Sequence, residues 1–249
     1  MKADLNPPKP IRGWLTRDCS AAPRPNPWKV VFAREELGLN YEVKSFRFDD
    51  VKNKLFTDIN PNGRVPAIED PNTGLTLWES GAIYQYIVDV YQYIVDVYDT
   101  DKRLTHAALN DRHLCNQWLH FQTSGQGPHF GQAGWFRHLH PIQVPPAIER
   151  YAKEVRRVLA SWTAWLIGGK MTFADMAFVP WNFRLSEVLM QSWDEVWAGL
   201  PHVRAWHERM RRAVLMDEQG LQWNGVPKEI ETFTEYEEKI ARGEKTTAE

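Results

Sequence analysis

Apolar and polar positions alternate between two periods in the first third of the chain. Ile11 to Thr16 is a short apolar-leaning run that reads as a strand, and the proline-rich stretch Cys19 to Pro27 closes it off as a turn region. From Trp28 to Leu37 the apolar positions Val30, Val31, Phe32, Ala33 and Leu37 fit one face of a helix, with Gly38 as its C-cap. Tyr41 to Phe48 returns to alternation, which predicts a second strand and completes a strand, helix, strand unit. Phe56 to Asn62 then leads through Gly63 and Arg64 into a strand at Val65 to Glu69. Pro71 to Gly74 predicts a turn before a strand at Leu75 to Trp78. Glu79 and Ser80 precede a strongly helical run, so the Ser80 hydroxyl falls near a helix N-terminus, where free backbone amides favour anions.

That helical run holds the heptapeptide YQYIVDV at Tyr84 to Val90, repeated unchanged at Tyr91 to Val97. Seven residues advance a helix by nearly two turns, so the repeat keeps the same buried face while lengthening the rod by about 10 Å. Polar residues from Tyr98 to Thr105 predict a linker. Beyond it the pattern is helical at Leu109 to His120 and Ile148 to Trp165, separated by a Gly-, His- and aromatic-rich segment from Ser124 to Pro146. Thr172 and Asp175 have the spacing of a capping box before the apolar run Met176 to Trp181. A further helix is expected at Val203 to Met216 after Pro201, and the Glu-rich end from Lys228 onward reads as a solvated helix fading into a tail.

With 249 residues the chain is long enough to bury a core without disulfides or a structural metal. Lys and Arg total 30 against 32 Asp and Glu, so no overall basic field exists to hold nucleic acid or an anionic membrane. The only cysteines, Cys19 and Cys115, lie far apart, which argues against a disulfide framework or a cysteine zinc site and favours a cytoplasmic location. No apolar run approaches the roughly 20 residues of a membrane helix. His113, His120, His129, His138 and His140 are numerous but match no HExxH spacing, so no metal is expected.

Two groups carry candidate chemistry. Asn26, in the run Pro25, Asn26, Pro27, Trp28, Lys29 that opens the first helix, is either an N-cap or an amide donor able to stabilise a bound thiolate. Asparagine cannot remove a proton at neutral pH, so its chemical role is to tune a nucleophile. In Asn60 to Ile68, Pro66 sits at a strand entrance where either a cis or a trans bond is open; cis accounts for about 5–6% of such bonds.

The strings NPNGRVPAI, WESGAI and MTFADMAFVPWN, in that order and with NQWLHFQTSGQGPHFGQ between the last two, resemble the glutathione S-transferase superfamily. The branch is the fungal and bacterial one similar to the yeast nitrogen-regulation prion protein, and the resemblance spans roughly Pro10 to Met216. It implies an α/β thioredoxin-like N-terminal domain followed by an all-α glutathione transferase C-terminal domain, usually as a homodimer. The boundaries expected are residues 9–98 for the glutathione-binding domain, 105–225 for the helical electrophile-binding domain and 226–249 for an acidic tail. The resemblance further implies a cis Pro66 and glutathione as co-substrate. Val65 then meets the cysteinyl part through its backbone, Glu79 and Ser80 hold the γ-glutamyl end, Arg64 reaches the glycyl carboxylate, and Asn26 lies beside the sulfur. Trp118, Phe121, Phe130 and Trp135 are the implied lining of a pocket for a small hydrophobic electrophile.

The chain departs from that pattern in four places. Arg24 stands where the family often has threonine, and Pro27 where it often has glycine, the latter compatible with the first turn of a helix. The repeated heptapeptide lengthens one helix, and the stretch Val155 to Ile167 is shorter than usual. The implied activity is conjugation of the glutathione thiol to an electrophile, in detoxification or fungal secondary metabolism. The alternatives are a glutathione-dependent peroxidase or disulfide reductase, and a non-catalytic glutathione-binding regulator. The N-terminus carries no long Asn/Gln-rich extension of the prion-like kind.

Overall fold

The computed structural model describes residues 9–16, 25–37, 41–46, 48–87, 104–162 and 165–213. Cys19, Arg24, Gly38, the second copy of the heptapeptide and the acidic tail lie outside the described residues. The described chain divides into two compact units, and the division falls inside a helix, between Ile83 and Tyr84.

The first unit is a four-stranded mixed sheet with helices. Its elements are β1 (Ile11–Thr16), α1 (Pro25–Leu37), β2 (Tyr41–Phe46), a 3-10 turn (Phe48–Lys52), α2 (Lys54–Ile59), β3 (Ala67–Asp70) and β4 (Leu75–Trp78). The helix α3, described over residues 80–87, follows at once. The sheet order is β2-β1-β3-β4, with β1 parallel to β2 and the other two pairings antiparallel. A parallel pair needs a crossover, which α1 supplies, whereas β3 and β4 are joined by the short turn predicted at Pro71 to Gly74. There Gly74 donates its N–H to the Asp70 carbonyl at 2.8 Å, and φ of 72° makes the glycine useful.

α1 starts at Pro25, three residues before the apolar pattern, so Asn26 is the second helical residue and not the N-cap. Its face is more buried than the hydropathy suggests, because Lys29 and Arg34 are 2% and 1% exposed among Val30, Val31, Phe32 and Ala33. Arg34 fits because Gly13 of β1 has no side chain: a Cβ there would lie 3.1 Å from Arg34 Nη1. The guanidinium also stacks over the Tyr41 ring at 5.3 Å. Val51, Phe56 and Ala67 form a small cluster with Ile59 and Val65 against it, which ties α2 to the start of β3. β3 begins at Ala67, two residues after the expected Val65, since Pro66 has no N–H for a ladder.

The second unit is helical: α4 (Leu109–Phe121), α5 (Gly127–Gly134), α6 (Pro145–Ala160), α7 (Phe173–Asn182), α8 (Leu185–Leu189), α9 (Trp193–Trp197) and α10 (Pro201–Ala213). The segment from Ser124 to Pro146 read as a break, yet it is helical through Leu139, with π turns at Gln122–Gln126 and Trp135–Leu139 flanking α5. Glycine lowers helix propensity by about 1 kcal/mol, and this hid the helix in the sequence. Packing repays it, for a Cβ on Gly131 would sit 3.5 Å from the Trp181 ring and one on Gly134 3.8 Å from Val188. At Gly125 an added Cβ would come within 2.9 Å of Phe121. α6 starts on Pro145 and Pro146, where missing N–H groups matter little, and ends at Ala160, short of the expected Trp165.

The expected capping box is present, and it does more than cap. Asp175 Oδ2 accepts from the Thr172 N–H at 2.9 Å and the Thr172 hydroxyl at 2.7 Å. Its other oxygen accepts from Trp206 Nε1 of α10 at 2.7 Å and the Leu166 N–H at 3.2 Å. Burial pushes this carboxyl above the usual range, and the same donors oppose that rise. Trp206 in turn packs on Trp162 at 4.8 Å, and Trp162 on Phe178 at 5.0 Å. A second capping box, Ser192 with Glu195, opens α9 at the surface.

The two boxes should differ in energy. Asp175→Ala strands the buried indole N–H of Trp206 and is expected to lower the unfolding free energy by about 3 kcal/mol or more. Ser192→Ala, losing an exposed cap, should lose about 1 kcal/mol. Denaturant unfolding of both variants measures the contrast.

Candidate active site

The loop between α2 and β3 is shaped by its own side chains. Asn60 is 1% exposed; its Oδ1 accepts from the Asn62 N–H at 3.0 Å and its amide donates to the Arg64 carbonyl. Gly63 donates to the Asn60 carbonyl at 2.8 Å with φ of 58°, and a Cβ on it would meet the Val51 carbonyl at 3.0 Å. Lys52 Nζ caps the Gly63 carbonyl at 2.8 Å. The NPNG run is thus a self-bonded turn that delivers Arg64 to solvent, Val65 to a half-buried position and Pro66 to the interior. The Val65–Pro66 bond is cis.

The same loop reaches the end of β4. Asn62 Nδ2 donates to Glu79 Oε1 at 3.3 Å. Glu79 has φ of 73°, left-handed backbone that a non-glycine residue adopts at a cost of order 1–3 kcal/mol. Its carbonyl accepts from the Ile83 N–H at 2.9 Å, which makes Glu79 the residue that closes the first turn of α3 and Ser80 the first residue inside it. Ser80 is 5% exposed. Its hydroxyl accepts from Lys29 Nζ of α1 at 3.2 Å.

Lys29, in the opening run of α1, is a residue of this junction that the hydropathy pattern does not mark. Its pKa is lowered from the ordinary lysine value of 10.5 to about 7, by burial first, with Glu79 acting in the opposite sense. The sequence signal available was a lysine directly preceding four apolar positions, Val30 to Ala33. A charged residue in that place reads as the solvent side of the helix, and only the packing shows otherwise. Asn26 is half-buried in the first turn of α1.

In the helical unit, Trp118 and Phe121 of α4 are both half-buried and pack edge to face at 5.8 Å, each also touching Phe178. Phe130 is fully buried against Trp181 at 6.2 Å, and Trp135 is 45% exposed beside His140 at 6.4 Å. The structure therefore brings two of these four aromatic residues directly together and gives the other two different neighbours. Two of the histidines pair with backbone carbonyls: His129 Nδ1 with Gly125 at 2.7 Å, and His138 Nε2 with Glu187 at 2.9 Å. Burial pushes the Cys115 thiol up to about 11, with a Thr172 side-chain hydrogen bond pulling the other way. A thiol so shifted is inert near neutral pH.

Residues 20–89 match the glutathione S-transferase N-terminal domain and residues 130–213 the glutathione S-transferase C-terminal domain. The chain is 43% identical over 201 residues to the glutathione S-transferase-like protein gedE of Aspergillus terreus, covering 75% of this chain and 86% of that protein. The chain belongs to the glutathione S-transferase family. This glutathione S-transferase family member is also 32% identical over 246 residues to the transcriptional regulator URE2 of Saccharomyces cerevisiae, with 82% of this chain and 66% of that protein covered. The crystal structure of the glutathione transferase URE2P6 from Phanerochaete chrysosporium, in complex with oxidized glutathione, matches with a TM-score of 0.69 and 39% identity, over 82% of this chain and 91% of that one.

The lowered Lys29 pKa sets a pH dependence for this family member. Between pH about 7 and 10.5 the unfolded chain keeps the Lys29 proton and the folded chain does not, so folding gains stability as pH rises through that window. Lys29→Met is expected to exceed the parent in relative stability most near pH 6, with the difference shrinking by about 1.4 kcal/mol per pH unit above pH 7. Denaturation midpoints measured across that range test the sign.

Proposed function

We propose that this chain binds glutathione on its first unit and conjugates the thiol to a small hydrophobic electrophile, acting as a cytoplasmic homodimer in detoxification or fungal secondary metabolism. The observation that carries the reading is the junction of β4 and α3. There an exposed carboxylate at Glu79, a buried hydroxyl at Ser80 and the opening amides of α3 lie next to one another in a self-bonded frame. An α-amino acid end group is an ammonium beside a carboxylate, and this is its complement: Glu79 answers the first, Ser80 and the helix start the second. Val65 supplies backbone hydrogen bonds to the cysteinyl part, and Arg64, exposed at the same loop, takes the glycyl carboxylate. The similarity to a glutathione transferase crystallised with oxidized glutathione supports the same ligand.

Asn26 then stands beside the sulfur. A free thiol of this kind has a pKa near 8.5, which leaves only a few per cent thiolate at pH 7. One amide donor together with the first turn of α1 can selectively stabilise the anion by about 1.4 kcal/mol, one pKa unit. The helical unit offers the electrophile aromatic surface, with Trp118 and Phe121 as the paired, half-buried rings, Phe130 as buried support and Trp135 at the exposed end of the set. The 32% identity to a transcriptional regulator favours a second reading, in which glutathione binds without turnover.

Calorimetry with glutathione, paired with turnover on a chloroaromatic, a hydroperoxide and a mixed disulfide, separates these readings. Saturable binding with turnover on the chloroaromatic is expected. In that case Asn26→Ala should raise the bound thiol pKa, read by thiolate ultraviolet absorbance, by about one unit and lower turnover about tenfold at neutral pH. An unchanged pKa and rate would remove Asn26 from the mechanism, and binding with no turnover on any of the three would select the regulatory reading.

A further inference from the structure

Lys29 is 2% exposed and is followed along α1 by Val30, Val31, Phe32, Ala33 and Arg34, all buried. Its Nζ lies 3.2 Å from the Ser80 hydroxyl oxygen. The proton on that hydroxyl can point only one way at a time, and the charge on Lys29 decides which. A neutral amine has a lone pair and attracts the Ser80 proton toward itself. An ammonium has three donors and no acceptor, so Ser80 must accept from it and its own proton is left available to another acceptor, such as a carboxylate at the start of α3.

The geometry points to Lys29 as a positioning residue for the ligand carboxylate: its ammonium sets the Ser80 hydroxyl as a donor, and occupancy of the α3 start by a carboxylate draws a proton onto Lys29. This inference rests on the glutathione reading above, for which Ser80 receives the α-carboxylate of the γ-glutamyl end. The proton comes from solvent, and no bond other than N–H forms. Among the described residues Glu79, at the β4–α3 junction, acts on Lys29 through its charge; Arg34, the other buried cation of α1, is stacked on Tyr41. Two opposing effects accompany the ligand. Its ammonium partly cancels Glu79, which disfavours charge on Lys29, while its carboxylate, bonded to Ser80, favours it. Ser80 is in direct hydrogen-bond contact with Nζ and Glu79 is not the bonded partner in that contact, so the carboxylate prevails and binding takes up a proton. Since the lysine in the free protein titrates near pH 7, the effect falls where it is measurable.

The test is calorimetry with S-methylglutathione, which lacks an ionisable thiol, in buffers of differing ionisation enthalpy from about pH 6 to about pH 8. The parent protein is expected to take up about half a proton per site near pH 7, with the dissociation constant rising toward about tenfold per pH unit above it. Lys29→Met should show no uptake, a flat pH profile and about tenfold weaker binding near pH 6. Lys29→Arg, permanently charged, should keep the tight binding across the range without uptake. Binding by the parent with no proton uptake, or uptake that persists in Lys29→Met, overturns the role of Lys29 while leaving the glutathione site standing. No binding of S-methylglutathione by the folded parent overturns both.

Discussion

Burying an ammonium group is expensive by several kcal/mol unless hydrogen bonds and opposite charge answer it, and the first unit is arranged around one such group. Lys29, on α1, is 2% exposed and answered by the Ser80 hydroxyl, with the field of Glu79 adding to it. Those two residues are consecutive, at the point where β4 turns into α3. The chain makes that turn through left-handed backbone at Glu79, and Asn62 bonds its side chain from a loop 17 residues earlier. The strained residue, the buried cation and the self-bonded NPNG turn are therefore one arrangement. Each fixes part of the β4–α3 junction, the place where the ligand end group is proposed to sit.

The helical unit solves a related problem with the opposite charge. Asp175 is a buried carboxyl that receives four hydrogen bonds: two from Thr172, one from Leu166 and one from Trp206. Each such bond to an ionised group contributes about 1.5–3 kcal/mol, so the site is held chiefly by hydrogen bonding. That carboxylate joins α7 to α10, as the Lys29 amine joins α1 to the start of α3.

Much of the fold could be read from the residues, and the failures have identifiable causes. The strand at Ile11 to Thr16, the turn after Asp70, the strand at Leu75 to Trp78 and the capping box at Thr172 all carry local chemistry that packing does not override. α5 was invisible because four of the residues between Ser124 and Trp135 are glycine, and glycine at 125, 127, 131 and 134 speaks against a helix until the facing side chains are known. α8 and α9, five residues each, are too short for a 3.6-residue period to register. In the candidate site, Ser80, Glu79 and Pro66 stood out through turn and helix-start signals and through family resemblance. Lys29 did not, because burial of a lysine is a property of the neighbours that cover it, and a hydropathy pattern counts the lysine itself as evidence for solvent.

A titrating lysine under the proposed carboxylate subsite has a consequence for selectivity that a fixed cation lacks. A permanent charge attracts any small anion at every pH. A lysine that titrates near pH 7 is about half charged there, so a ligand that requires the charged form forfeits only about RT ln 2, near 0.4 kcal/mol, at neutral pH. One pH unit higher the same requirement amounts to about 1.4 kcal/mol. A simple anion, lacking an ammonium to engage Glu79, is left facing that carboxylate. An α-amino acid end group engages Glu79 through its ammonium and Ser80 through its carboxylate, and the contacts of both ends offset the cost of charging Lys29. Discrimination at this junction then comes from requiring both charges of the end group at once, and it depends on keeping Lys29 out of water.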